Sequence, residues 1–347
     1  MTHDSDATVR AVRLLAGFQY AQAAFAVARL GIAGHLMGGP LPVPELARRS
    51  GTDPTRLRQL LRVLAGEDVF TLLGDDRVDL GPLGPAFAPD TGSSAYELAL
   101  TWADTLYAPY AELHRTLRDG VPAPEHHYGK PMFDWFADHP EHAARFSAAM
   151  REGLRTVRYG VPASLDLCGI RSVVDVGGAD GSLLVRLAGL HPELTGVVFD
   201  LPHVVAEAGP VLDGHGLGAR FTTVGGDFFV ADDLPSGADC YVLSYVLHDW
   251  PDADAERVLR AVRAAGGDGA RLRLVELVLP DWPEHPLPPF AATMELTMLG
   301  MLAARERTAA DWERILAATG YRLDRIAPTS TPLSVIEATA TNEETRS

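Results

Sequence analysis
The sequence predicts an α/β protein: a doubly wound, mainly parallel sheet in the C-terminal half, preceded by a mostly helical domain. Three observations predict it. From Ser172 onward, short apolar β-branched runs alternate with amphipathic helical stretches, as in successive βαβ units. The first run, VVDV at 173–176, passes through GGADG into a helix-forming stretch, SLLVRLAGL. Residues 8–65 carry apolar positions at helical spacing rather than in alternation.

The 347 residues suffice for two or three domains. At 47% hydrophobic and 22% charged, the composition is that of an ordinary globular chain. A net charge of −16 argues against nucleic acid or an anionic membrane as the main partner. Cys168 and Cys240 make neither a disulfide framework nor a metal set. The N-terminus, MTHDSDATVR, is polar and acidic, unlike a signal peptide. The apolar stretch 21–36 is broken by Arg29 and His35 and is too short to span a bilayer. A cytoplasmic enzyme is expected.

Val9, Val12, Phe18, Phe25 and Leu30 follow helical spacing, and the sparse charge on the second half of 8–37 marks core or interface. Pro44–Ser50 and Thr55–Ala65 read as helices about a Gly51–Pro54 turn, the second stopped by Gly66. Phe70–Leu73 and Val78–Leu80 flank GDDR and make a hairpin. Two helices and a hairpin are a winged-helix outline. Arg48, Arg49, Arg56, Arg58 and Arg62 favour DNA binding, but in so acidic a chain a structural or dimerising module is the preferred reading. Residues 82–90, rich in Pro and Gly, read as a linker, and 92–165 as helical and aromatic. His126, His127 and Tyr128 fall in a proline-bounded loop. No carboxylate or cysteine stands at a ligand spacing from them, so a solvated loop and no metal are expected. Strands are expected near 172–176, 196–200, 220–224, 239–244, 271–278, 322–327 and 333–338. The last two form a hairpin that makes the final strand antiparallel, and 342–347 is a polar, disordered tail.

The glycine turn selects among nucleotides. A dinucleotide site wants G-x-G-x-x-G, so that a pyrophosphate reaches the helix N-terminus. Here the pattern is G-G-x-x-G with Asp180 inside it, an acid that repels phosphate. Gly177 and Gly178 allow a sharp turn and present no Cβ to a ligand. Asp200 lies about 20 residues on, where such folds place the acid that grips two ribose hydroxyls. S-adenosylmethionine, an adenosine without phosphate and with a cationic sulfonium, fits this set. An ordinary strand–turn–helix without ligand fits the glycines alone.

In an open α/β sheet the ligand sits at the carboxyl ends of the strands. The polar residues there are Asp175 and Gly177, then Asp200, Asp227 with Phe228, Ser244 with His248, and Glu276. Asp227 can accept from an adenine amino group, with Phe228 against the ring. Taken singly, each also fits a cap or turn. The strand Tyr241–Leu247 runs into His248, whose imidazole titrates in the useful range. Glu276 ends the next strand. Glu306 precedes a helix at Ala309–Thr319 that Thr308 caps, where it also fits simple dipole complementation.

At this point the chain resembles the S-adenosylmethionine-dependent O-methyltransferases of the plant caffeate/flavonoid type and their bacterial natural-product relatives. VVDVGGADG, VVFDLPHVV, VGGDFF, VLHDWPD, VELVLP and RERTAADWERIL occur in that order, and LARRSGTDPTRLRQLLRVLAGEDVF resembles that family's dimerisation module. The resemblance implies a Rossmann-like catalytic domain at 166–347, a helical linker and substrate lid at 96–165, and a winged-helix-like dimerisation domain at 1–95. It implies Gly177, Asp200, Leu201, Asp227, Phe228 and Ser244 around S-adenosylmethionine, with Phe146 and Met150 near the sulfonium. It implies His248 as general base, oriented by Glu276 and Glu306. The one departure is Ala179, where the family often has a third glycine. Met294, Met298 and Met301 share a helix face, which is ordinary core packing on its own; the resemblance puts that helix beside the acceptor. Trp102, Tyr107 and Phe136 would complete an aromatic wall. A two-fold homodimer built by the N-terminal helices with Phe18, Tyr20 and Phe25 is expected, and no metal.

The chemistry gives the histidine a purpose. A phenol with pKa about 10 is only ~0.1% ionised at pH 7. A positioned base contributes about 10²–10⁴-fold, and an adjacent carboxylate fixes its tautomer. The expectation is methylation of a phenolic or enolic hydroxyl of a secondary metabolite. The alternatives are a relative that keeps the cofactor but hydroxylates, decarboxylates or cyclises, and, more remotely, a winged-helix regulator.

Overall fold
The computed structural model describes residues 2–89, 91, 94–157, 159–281 and 287–341. The tail at 342–347, expected to be disordered, lies outside them. The chain forms two compact units, Met1–Glu112 with Pro124–Thr156 and Leu113–Ala123 with Val157–Ser347. The 96–165 stretch, expected as one intervening segment, is divided between them. Among the described residues no helix is long and apolar enough to cross a membrane.

In the first unit, helices Val43–Ser50 and Pro54–Ala65 stand beside a small sheet of β1 (Leu41–Pro42), β2 (Phe70–Leu73) and β3 (Arg77–Leu80), ordered β1-β3-β2. The helix break is local chemistry. Gly51 turns with φ 66, and Asp53 caps the next helix by accepting the N–H groups of Thr55 and Arg56. Leu46, Leu57, Leu61 and Leu64 bury against Val69, Phe70 and Val78. Asp75 and Asp76 turn the hairpin in the left-handed region, at φ 59 and 55, within the three-residue loop between Leu73 and Arg77. Several of the arginines that favoured DNA binding are spent locally: Arg48 and Arg49 on Glu45, and Arg58 on Asp76.

Two expectations are corrected in this unit. Residues 82–89 are not a free linker. They include a 3-10 turn, Gly84–Phe87, and a Cβ at Gly84 would lie 2.6 Å from the Val69 carbonyl, so the segment packs on the hairpin; Asp90 is outside the described residues. His126–Tyr128 is not a loop but the end of helix Ala123–Tyr128. Pro124 suits the first turn of a helix, where no N–H is needed, and Gly129 stops it at φ 79.

The second unit holds the seven-stranded sheet: β4 (Ser172–Val176), β5 (Thr195–Asp200), β6 (Phe221–Gly225), β7 (Cys240–Ser244), β8 (Arg271–Glu276), and, after the short β9 (Val278–Leu279) and β10 (Arg307–Thr308), β11 (Tyr321–Pro328) and β12 (Ser334–Ala340). Their order is β11-β12-β8-β7-β4-β5-β6. Pairing is parallel from β8 to β6, while β12 runs antiparallel to both β8 and β11. The chain leaves β4 towards β5 and returns to the other side at β7, so the β4–β7 boundary is the switch point that opens a ligand crevice. Val174, Val176, Phe199, Leu243 and Leu274 bury against Val258, Leu259, Trp312 and Ile315 of helices Asp252–Gly266 and Ala309–Ala318.

Candidate active site
The glycine turn is shaped by the chain's own close approaches. Gly177 turns at φ 73, and a Cβ there would sit 2.8 Å from the Val246 side chain; one at Gly178 would sit 2.8 Å from the Asp175 carboxylate. The glycines therefore let β4 fold over its own Asp175 and against the loop after β7. The sharp turn expected of them is there, and the missing Cβ also makes room for the chain's own Val246 and Asp175. The N–H groups of both donate to the Phe199 carbonyl, at 2.8 and 3.2 Å. Ala179, where the third glycine was missing, holds the left-handed φ of 48. Its N–H donates to Asp200 Oδ2 at 2.9 Å, and the Leu201 N–H donates to Oδ1 at 2.7 Å. Burial pushes the Asp200 pKa up, against these two amide bonds. Asp180 Oδ1 accepts the Ser182 N–H at 3.0 Å, so an acid occupies the start of helix Ser182–Leu190.

Farther along the rim, Asp227 Oδ1 accepts the Phe229 N–H at 2.9 Å, and the Asp227 N–H donates to Asp233 at 2.9 Å. Phe228 lies 5.0 Å from Phe229 and 5.9 Å from Trp250, ring centre to ring centre. Ser244 is buried as the last residue of β7.

His248 does not continue β7 as expected. The strand stops at Ser244, because Tyr245 turns into the left-handed region at φ 61. The Val246 and Leu247 N–H groups then donate to Glu276 Oε1, at 3.2 and 2.9 Å, in place of a strand partner. His248 follows in a 3-10 turn, Leu247–Asp249. Its buried imidazole has Nδ1 2.9 Å from Glu306 Oε1 and Nε2 3.4 Å from Asp249 Oδ1, with the Tyr245 ring centre 3.8 Å away. The two acids expected to orient His248 thus divide the task. Glu306 bonds the ring, while Glu276 bonds the backbone in front of it. Burial alone would lower the imidazole pKa; the Asp249 charge, the Glu306 hydrogen bond and the charges of Glu276 and Glu306 outweigh it and raise it to about 9. Burial, above all, pushes Glu276 up to about 7. The Glu306 N–H donates to Glu295 Oε2 at 3.0 Å.

Met298 and Met301 face inward on helix Pro289–Met301, Met294 is half-buried, and Leu296 and Leu299 face out. The remaining predicted residues belong to the first unit. Phe146, on helix Pro140–Val157 with half-buried Met150, packs on Phe136 at 4.9 Å. Trp102 opens a π-helical turn, Trp102–Leu106, closed by the Tyr107 N–H donating to the Trp102 carbonyl at 2.8 Å, and Tyr107 meets Phe25 edge-on at 5.9 Å.

Sequence reasoning missed Tyr245, Asp249, Glu295 and Arg307 around His248. Asp249 adjoins His248 in sequence and was legible there. Tyr245 lies three residues before His248 in the same loop, and Glu295 and Arg307 lie on separate elements and carry no periodic signal. Among the described residues, no group of three or more His, Cys, Asp or Glu is placed to hold a metal.

The chain matches the family described as O-methyltransferase domain over residues 110–322 and the O-methyltransferase dimerisation domain over 12–88. It is 35% identical over 327 residues to the phenazine O-methyltransferase PhzM of Lysobacter antibioticus, covering 94% of each chain. It is 34% identical over 322 residues to the 8-amino-8-demethylriboflavin N,N-dimethyltransferase of Streptomyces davaonensis, covering 91% of each. Its fold superposes with TM-score 0.78, at 30% identity over 92% of this chain and 96% of the other, on an O-methyltransferase from neocarzinostatin biosynthesis solved in complex with S-adenosylmethionine and 2-hydroxy-5-methyl naphthoic acid.

Proposed function
The chain belongs to the S-adenosylmethionine-dependent O-methyltransferases, and from that membership we propose that it methylates a phenolic or enolic hydroxyl of a secondary metabolite with His248 as general base. The observation that carries the role of His248 is the buried Nδ1–Glu306 contact at 2.9 Å. It leaves Nε2 as the nitrogen that accepts a proton.

The rim fits the cofactor. Both leading glycine amides are spent on Phe199 and the Asp180 carboxylate bonds the first amide of the following helix, so the turn offers no phosphate cradle. Each Asp200 oxygen accepts one amide and keeps a lone pair, enough for two ribose hydroxyls. Asp227 would take the adenine amino group, with Phe228 beside the ring and Leu201 and Ser244 flanking. When bound, S-adenosylmethionine supplies an electrophilic methyl group and a positive charge that disfavours a proton on a neighbouring imidazole.

His248 takes the acceptor proton on Nε2. Glu306 and Asp249 stabilise the imidazolium that results, and Glu276 keeps the preceding turn from relaxing. Burial of the ring keeps water from competing for the base. The same reading makes residues 1–95 a dimerisation domain and the chain a homodimer.

Labelled S-adenosylmethionine, offered with a panel of phenols, aromatic polyketides and aminoarenes, tests the acceptor class; label on oxygen is the expected result. His248→Ala should lower turnover about 10²–10⁴-fold with cofactor affinity intact. Near-wild-type turnover by that variant at pH 7 would exclude the base assignment.

A further inference from the structure
Arg307 carries a guanidinium with no exposed surface. Each of its three nitrogens donates a hydrogen bond. Nε donates to Asp252 Oδ1 at 3.0 Å, one terminal nitrogen to the Leu247 carbonyl at 2.8 Å, and the other to the Trp250 carbonyl at 2.7 Å. The Trp312 ring lies under the guanidinium, with its centre 5.2 Å away. The two carbonyls bracket His248, one residue before it and two after. Arg307 reaches them from β10, which pairs with β9 directly after Glu276. Its neighbour Glu306, one residue earlier, holds the imidazole itself.

We infer that Arg307 is a positioning residue for His248, setting the backbone of residues 247–250 while Glu306 sets the ring; the inference rests on His248 being the base. Stability alone does not account for a buried guanidinium here. Buried ion pairs replaced by apolar side chains of similar volume often leave a protein as stable as before. Asp252 does not depend on Arg307 for a partner, because Arg305 and Arg314 also donate to it, at 3.0 and 2.6 Å. What an apolar side chain cannot do is hold two carbonyls in one plane at a fixed spacing. That task suits a forked guanidinium and not an ammonium.

Arg307→Met tests this through kcat, the acceptor KM, S-adenosylmethionine affinity, Tm and the proton resonance of His248 Nδ1–H, assigned by its loss in His248→Asn. The expected result is a fall in kcat of about 10–100-fold, as for a misplacement of the order of an ångström. Cofactor affinity stays within about twofold, since Asp200 is held by other elements, and the Nδ1 resonance shifts or broadens. Should Arg307→Met fail to fold, Arg307→Lys keeps a charge beside Asp252 and is expected to show the same loss and the same spectral change. Wild-type kcat with an unmoved resonance, in whichever variant folds, overturns the inference, even if Tm falls. The resonance is independent of turnover. If His248→Ala keeps its activity, the base assignment fails by itself and the resonance still decides whether Arg307 positions the ring.

Discussion

His248 Nδ1 and Glu306 Oε1 meet at 2.9 Å across 58 residues of sequence, both side chains buried. The pair exists because the chain between them builds helix Asp252–Gly266, β8 and helix Pro289–Met301 before β10 returns beside β9. A charge relation of this kind is set by packing, and its consequences are measurable as pH dependence.

His248 is raised to about 9 from its ordinary 6.5, a shift that favours the imidazolium in the free enzyme. The acid limb of kcat/KM should therefore lie well above 6.5. Glu306→Gln removes a charge that favours the imidazolium, so the limb should move to lower pH while the maximal rate falls. A limb near 6.5 in the wild type, unmoved in the variant, would contradict this. The sign for stability follows: the raised pKa stabilises the fold fully below about 6.5, and this is lost as pH rises through about 9. Tm of the wild type relative to His248→Asn should fall over that window.

Glu276 is raised in the same direction, from 4.5 to about 7, by its complete burial. Ionising it costs stability as pH climbs through that interval. Glu276→Gln keeps an oxygen for the Val246 and Leu247 amides but cannot ionise. The Tm difference, variant minus wild type, should grow more positive between pH 4.5 and 7. Its turnover should drop less than that of His248→Ala.

Asp200→Ala should weaken S-adenosylmethionine binding in calorimetry, and it also orphans the Ala179 and Leu201 amides. Asp200→Asn, which keeps one acceptor oxygen, should fall between the two. Wild-type affinity in both variants would remove Asp200 from the ribose site.

Ala179 stands at φ 48, a conformation that costs a residue with a Cβ roughly 1–2 kcal/mol. Ala179→Gly relieves that strain but adds freedom to the unfolded chain, so a net gain of about 0–1 kcal/mol is expected. At this domain size that is a rise in Tm of up to about 2–4 °C. The amide to Asp200 survives, and cofactor affinity should change little. A fall in Tm would show that Ala179 is not strained.

Val9, Val12, Leu14, Leu15 and Phe18 are between 56% and 83% exposed on the first two helices, a run of large apolar side chains that suits an interface. Light scattering at micromolar concentration should give about twice 37.2 kDa, and Leu14→Asp with Phe18→Asp should reduce it to a single chain. A wild-type monomer would sink the dimer reading.

The sequence by itself determined the order of the main sheet's strands and the helices between them. β-Branched runs located all seven strands to within a few residues, because alternation and helical spacing record which faces are buried locally. It also supplied Asp200, His248 and Glu306, since polar residues at strand ends and helix starts are visible one at a time. Only the tertiary structure decided how they meet. It put β12 between β8 and β11, ended β7 at Ser244 through the turn at Tyr245, and gave the imidazole to Glu306 and the turn amides to Glu276. It brought Arg307 to the carbonyls around His248 and spent the glycine amides on Phe199. Those contacts depend on strand register and loop course across tens of residues, and local periodicity carries no record of either.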